Sequence, residues 1–188
     1  MITDLLLEKA YQLSLQEVQK HQAPSTFHLD LSINQGQILA KKLKANMQIV
    51  RLGTILMDCG LGEAMSLGKL PQHIKIGFLK TEKFLKSFPE LTKLEKNNIM
   101  SCVLEHHGVS QFFSLESEIC CNADCYRFVS VKGVLGGMVL GRKMELETMV
   151  SLYRQKAEEK WQSLSLDVCK KELKPQYDVI KKFLASFH

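Results

Sequence analysis

The chain has 188 residues, 45% of them hydrophobic and 24% charged, with a formal net charge of +5. That length and apolar content suit one compact domain with a real core, or a domain carrying extra terminal helices. The mild basic balance is compatible with phosphate-bearing ligands and is no clear nucleic-acid signal, and no apolar run reaches the roughly 18 residues of a membrane span.

The start, Met1-Ile2-Thr3-Asp4, has no basic region ahead of an apolar one, and Asp4 and Glu8 follow at once. A signal peptide is therefore not expected, and the location expected is cytoplasmic. Leu5, Leu6, Ala10, Leu13 and Val18 recur at helical spacing and predict a helix over 3–21. Gln22 to Ser25, with Pro24, breaks it. A second helix, capped by Ser25 or Thr26, runs to about Ala45 and carries His28, Ile33, Ile38, Leu39, Ala40 and Leu43. Gly36 inside it costs about 1 kcal/mol against alanine. Residues 47–57 are strongly apolar and read as a buried central helix ending in Asp58-Cys59-Gly60. A carboxylate directly after so apolar a run needs a partner, a hydrogen bond or a metal.

A loop over 66–71 leads into Gln72-His73-Ile74-Lys75-Ile76-Gly77, and a helix continues through Phe84 and Leu85 to Phe88-Pro89. Thr92 caps the next helix, which passes Ile99, Cys102 and Val103 and ends at His106-His107-Gly108. Glycine after the last periodic residue is a stop signal. Both imidazoles thus project from a last helical turn, about 100° apart, and reach one metal only if it lies across the helix end. The bland alternative is a pair of solvated histidines favoured by the helix dipole. Ser114 opens a helix with Glu116 and Glu118 in its first turns and Ala123-Asp124-Cys125-Tyr126-Arg127-Phe128 further on. The four glycines of 131–141 predict a turn region or short helix, and GVLGG lacks the context and the Lys-Ser/Thr pair of a phosphate loop. A polar helix with a stripe of Met149, Leu152 and Trp161 spans 144 to about 164. One or two short amphipathic segments, broken by Pro175, fill 166–187. There is no repeat and no strand alternation, so the fold class is all-α.

Six cysteines, Cys59, Cys102, Cys120, Cys121, Cys125 and Cys169, form no CxxC repeat and read as reduced thiols used mostly in core packing. Of six histidines, His21 and His188 lie at ordinary places, near a helix end and at the terminus. The others combine with two aspartates into the order His28, Asp58, His73, His106-His107, Asp124. Imidazole with carboxylate suits a borderline divalent ion such as Mn, Fe, Co, Ni or Zn, and helices can hold such ligands by pointing them inward.

Over roughly residues 20–130 this order resembles the HD-domain superfamily of metal-dependent phosphohydrolases. His28 precedes Leu39-Ala40-Lys41-Lys42-Leu43 as the family's first histidine precedes a Leu-Ala-x-x-Leu run. Leu56-Met57-Asp58-Cys59-Gly60-Leu61 is similar to the segment that ends in the naming His-Asp pair. His73 to Gly77, Glu105-His106-His107-Gly108 and Ala123-Asp124-Cys125-Tyr126-Arg127 resemble the remaining segments. The resemblance implies one HD-like helical bundle over 1–188 with additional N- and C-terminal helices, 142–188 being the C-terminal extension. It implies one or two divalent ions on His28, Asp58, His73, His106, His107 and Asp124, with Asp58 bridging metals or orienting the activated water. Arg127 would face the phosphate of a phosphomonoester, nucleotide or phosphodiester, although it could equally pair with an acid. Homodimerisation is left open.

Two departures stand out. Met57 replaces the histidine of the pair, and a thioether is a poor ligand for hard ions; Leu61 stands where many members have lysine. One metal position is therefore expected to be weaker than the other, and Met57→His to strengthen it. A degenerate domain that binds or regulates without catalysis is the alternative. A di-iron oxygenase, which the same fold can support, is disfavoured by the missing nitrogen ligand. The segment after Gly108 lacks the Gly-Tyr-Pro of the cyclic-dinucleotide branch, which disfavours that substrate.

Overall fold

The computed structural model describes residues 2–187; Met1 and the terminal His188 lie outside them. Ten α-helices follow one another among the described residues, with no strand: α1 Asp4–His21, α2 Thr26–Leu43, α3 Met47–Leu56, α4 Leu61–Ser66, α5 His73–Lys86, α6 Lys93–Glu105, α7 Leu115–Val129, α8 Val131–Leu140, α9 Leu146–Ser163 and α10 Asp167–Ala185. A 3-10 turn, Leu70–Gln72, leads directly into α5.

Local chemistry sets most of the helix starts. Thr3, Ser25, Asn46, Thr92, Ser114 and Ser130 each accept a backbone N–H from the first turn that follows. Such a cap contributes about 1 kcal/mol. Thr92 and Glu95 close a reciprocal capping box, as do Ser114 and Ser117. The apolar α3 is buried on nearly all sides, between α1, α2, α6 and α7. The second central element is α7, which packs against α2, α3, α6, α8, α9 and α10. One core of side chains from both, including Val50, Leu52, Ile55, Met57, Ile119 and Tyr126, runs through the molecule. All six cysteines are free and buried, and burial pushes the Cys59 thiol up to about 12. Among the described residues no helix is long and apolar enough to cross a membrane.

The short α4 starts from the Asp58–Gly60 turn with no side-chain cap and is held by its contacts with α1 and α5. Two expectations need correction. In α9 the buried stripe is not Met149, Leu152 and Trp161. It is Val150, Tyr153, Ala157 and Lys160, while Leu152 is exposed and Trp161 stacks at the edge on Tyr177, ring centroids 4.5 Å apart. Residues 167–185 form one helix despite Pro175. Proline removes a hydrogen bond and crowds the preceding turn, costing about 3 kcal/mol. Pro175 and Lys171, whose carbonyl loses its donor, are both exposed, so the break falls on the solvent side of the helix. The buried stripe Cys169, Leu173, Tyr177, Ile180 and Leu184 outweighs the loss, at about 1.5–3 kcal/mol for each large apolar side chain.

Because Pro175 is kept in α10 by burial elsewhere on the helix, Pro175→Ala is expected to stabilise the protein by about 1–3 kcal/mol. A urea titration reads this as a higher midpoint at unchanged slope. An equal or lower midpoint would show that α10 accommodates the proline without cost.

Candidate metal centre

The site is built where α3 and α6 end and α5 begins. Met57 caps α3 and is 1% exposed; Asp58 follows in the turn and is 6% exposed. A carboxylate at the negative end of a helix is disfavoured unless cations answer it. The turn is pressed against α5 at Gly60. A Cβ there would lie 2.3 Å from Gly77 N and 2.4 Å from the His73 carbonyl oxygen, so only glycine fits. This contact brings Asp58 beside the first turn of α5, which starts at His73. His106 caps the last turn of α6, and His107 follows it before Gly108, whose φ of +94° turns the chain away.

The three imidazoles meet. Ring centroids are 5.7 Å apart for His73 and His106, 4.8 Å for His73 and His107, and 4.5 Å for His106 and His107. Each offers a nitrogen, and these atoms lie within 4.8 Å of one another. Their tautomers follow from their backbone partners. His73 Nδ1 donates to the Leu70 carbonyl at 2.9 Å, and His106 Nδ1 to the Val103 carbonyl at 2.7 Å. A carbonyl only accepts, so in the neutral ring the lone pair sits on Nε2, as metal-ligating histidines require. Burial lowers the pKa of His73; burial, then the neighbouring His106 and Lys160, hold His107 down to about 3. His106 is 0% exposed, and its Nε2 has no hydrogen-bond partner. That nitrogen faces Asp58 Oδ1 at 3.6 Å. Two acceptors opposite each other in a buried place call for a proton or a metal cation between them. His73 Nε2 and His107 Nε2 are 3.3 Å apart, a pair that shares either a proton or an ion. The donor set therefore fits a borderline divalent ion.

The aspartates are organised differently. Arg127, one turn after Asp124 on α7, donates through one guanidinium nitrogen to Asp58 Oδ2 and, at 2.9 Å, to Asp124 Oδ1. Lys160 of α9, 2% exposed, puts its Nζ 2.6 Å from Asp124 Oδ2. Burial alone would push both carboxyls up. Arg127 holds Asp58 well below the usual range, and Lys160 and then Arg127 do the same for Asp124. Lys160 is in turn held protonated by Asp124 against the effect of burial.

His28, in the first turn of α2, stands apart from the trio. It lies against Phe27 and Phe128, with ring centroids 5.6 and 6.0 Å away. Its Nε2 is buried without a partner, and burial followed by Arg127 lowers its pKa to about 4. Glycines at 136 and 137 let α8 close over this side, since a Cβ at Gly137 would lie 1.8 Å from Tyr153 Oη and 3.0 Å from His28 Cε1. Of the expected site residues, the structure thus joins His73, His106 and His107, sets Asp58 beside them and ties Asp58 to Asp124 through Arg127, while His28 and Asp124 are not members of the histidine group. Among the described residues no cysteine joins a metal-binding group; Cys125 Sγ turns back to the Cys121 carbonyl at 3.2 Å. Lys160 was not among the expected residues. Its only signal is its register, a lysine in the helical stripe Val150, Tyr153, Ala157.

No family model and no curated protein matches the chain. Solved structures do. A Lactobacillus plantarum protein is 15% identical with TM-score 0.72, covering 100% of this chain and 97% of that one. A predicted HD superfamily hydrolase from an uncultured Thermotogales bacterium is 14% identical, TM-score 0.62, with 96% and 92% covered. Bacillus subtilis YpgQ is 13% identical, TM-score 0.62, with 96% and 94% covered. The chain is thus an all-α, HD-domain-like helical bundle.

Removing one member of a buried ion pair leaves a charge uncompensated. Asp124→Ala should therefore lower stability by about 3–5 kcal/mol in chelator, and Asp124→Leu combined with Lys160→Met should recover most of that loss. Denaturant melts check both. Cys121→Ala and Cys125→Ala should leave bound metal unchanged; a fall without unfolding would place the thiols in the site.

Proposed function

We propose that residues 1–188 act as one HD-like domain and that the chain is a metal-dependent phosphohydrolase. Its ion would be held by the Nε2 atoms of His73 and His106, a nitrogen of His107, and Asp58 Oδ1. The observation that carries this is the buried His106 Nε2, unpartnered and aimed at Asp58 Oδ1. When bound, an ion such as Mn, Fe, Co, Ni or Zn supplies Lewis acidity toward water and toward a phosphoryl oxygen.

The chain's own groups prepare the rest. The Leu70 and Val103 carbonyls fix the tautomers and the ring orientations. Arg127 keeps Asp58 anionic while leaving its Oδ1 toward the histidines. The charges of Arg127 and Lys160 are matched by Asp58 and Asp124, and the modest basic balance of the chain is compatible with a phosphate-bearing ligand. His107, with its side chain about one-third exposed, lies on the open side beside Glu159 and Lys156. The void on the other side of Asp58, lined by Ser14, Val18, Pro24, Leu29, Ile55 and Cys59, is only about 10 Å³. A substrate, whether phosphomonoester, nucleotide or phosphodiester, therefore approaches past His107.

A second reading, a binding or regulatory module without catalysis, is favoured by one observation: the ion pairs that already neutralise Asp58 and Asp124. Reconstitution of chelator-stripped protein with Mn, Fe, Ni and Zn separates the two. The phosphohydrolase reading expects bound metal and metal-dependent hydrolysis of an aryl phosphate. His106→Gln is expected to remove the metal and to lower the rate at least about 100-fold, some 2.7 kcal/mol of barrier. Metal near zero in the reconstituted wild type leaves only the module.

A further inference from the structure

The sequence alone attributes the weakness of a second metal position to Met57. The ion pairs suggest a different cause. Three of the four carboxylate oxygens of Asp58 and Asp124 already face a fixed cation: Asp58 Oδ2 and Asp124 Oδ1 face Arg127, and Asp124 Oδ2 faces Lys160. The fourth, Asp58 Oδ1, faces His106. We infer that the Arg127 guanidinium and the Lys160 ammonium occupy the place of a second divalent ion, so that the chain holds at most one ion, next to a built-in cation pair.

Charge and burial support this. Asp58, Asp124, Arg127 and Lys160 are exposed by 6%, 1%, 7% and 2%, and their two negative charges are matched by two positive ones. A divalent ion added to that balanced set would meet two cations in a dry place, where repulsion is screened little. The ligands for such an ion are nevertheless present. His28 Nε2 is buried without a partner, and His28 lies close enough to Arg127, Asp124 and Asp58 for each to influence its charge. Asp58 and Asp124 hold Arg127 between them, with His28 within electrostatic reach of all three, so the place where these groups would answer an ion already holds a cation. Lys160 comes from α9, outside the stretch that carries the HD resemblance, so the C-terminal extension completes the centre.

The inference rests on the metal reading only for the ion at the histidine trio; its readout is the difference in ion count between variant and wild type. Chelator-stripped full-length chains are titrated with Mn²⁺ and with Zn²⁺, and ions per chain are counted by native mass spectrometry. The wild type is expected to hold one. Arg127→Met combined with Lys160→Met is expected to hold one more than the wild type, to melt far lower in chelator, and to gain more stability from Mn²⁺ than the wild type does. Adding His28→Ala should remove the gained ion. Met57→His alone should not add one, because both cations remain. Should the double variant not fold, Lys160→Gln carries the test, since it removes the charge and keeps a donor to Asp124; its additional site should bind Mn²⁺ at least tenfold tighter than any second site in the wild type. Two ions in the wild type, an ion gained through Met57→His alone, or no gain in the folded charge-removing variants overturns the inference. No ion in the wild type but one in the variant supports it while overturning the phosphohydrolase reading.

Discussion

The pairing of Arg127 with Asp58 and Asp124 is the constraint on which the rest depends. An apolar helix that ends in a buried carboxylate is unstable by itself, because the helix dipole and the loss of hydration both oppose the charge. Arg127 answers Asp58 from α7 and binds a second buried acid on its own helix, which then requires Lys160 from α9. Three helices far apart in sequence are joined by one chain of alternating charges. Such a cluster contributes little net stability compared with apolar packing, but it tolerates no missing member. It demands one arrangement of α3, α7 and α9.

The histidine side of the centre follows another rule. Each of two imidazoles uses one nitrogen on a carbonyl of its own local chain, three residues back in both cases. Orientation is therefore set by local contacts and not by distant ones. The 3-10 turn before α5 and the last turn of α6 act as sockets, and the bundle has only to bring the sockets together.

Much of this was legible in the sequence because it is local. Serine and threonine caps marked where α2, α6 and α7 begin, and Gly108 marked the end of α6 with its two histidines. The apolar run to Asp58 announced a buried acid with a partner. What stayed hidden depends on partners distant in the chain. Pro175 reads as a break unless the burial of Leu173 and Tyr177 is known. A six-residue helix such as α4 has too little periodicity to register. Lys160 is one of many lysines, and only the packing of Val150, Tyr153 and Ala157 shows that its position faces inward. Arg127 could pair with an acid or face a phosphate on spacing alone, and the position of Asp58 decides for the acid in this structure.

The contact at Gly60 has a consequence for how the protein tolerates change. Backbone meets backbone there, with no side chain between the turn that carries Asp58 and the turn that carries His73. The separation of these two groups is therefore gauged by peptide units, whose dimensions do not vary. The surrounding core can exchange one aliphatic residue for another and settle by fractions of an ångström, while the gauge keeps its setting. Position 60 bears the whole burden of that freedom: one added carbon would push the two turns apart and open the centre at its narrowest point.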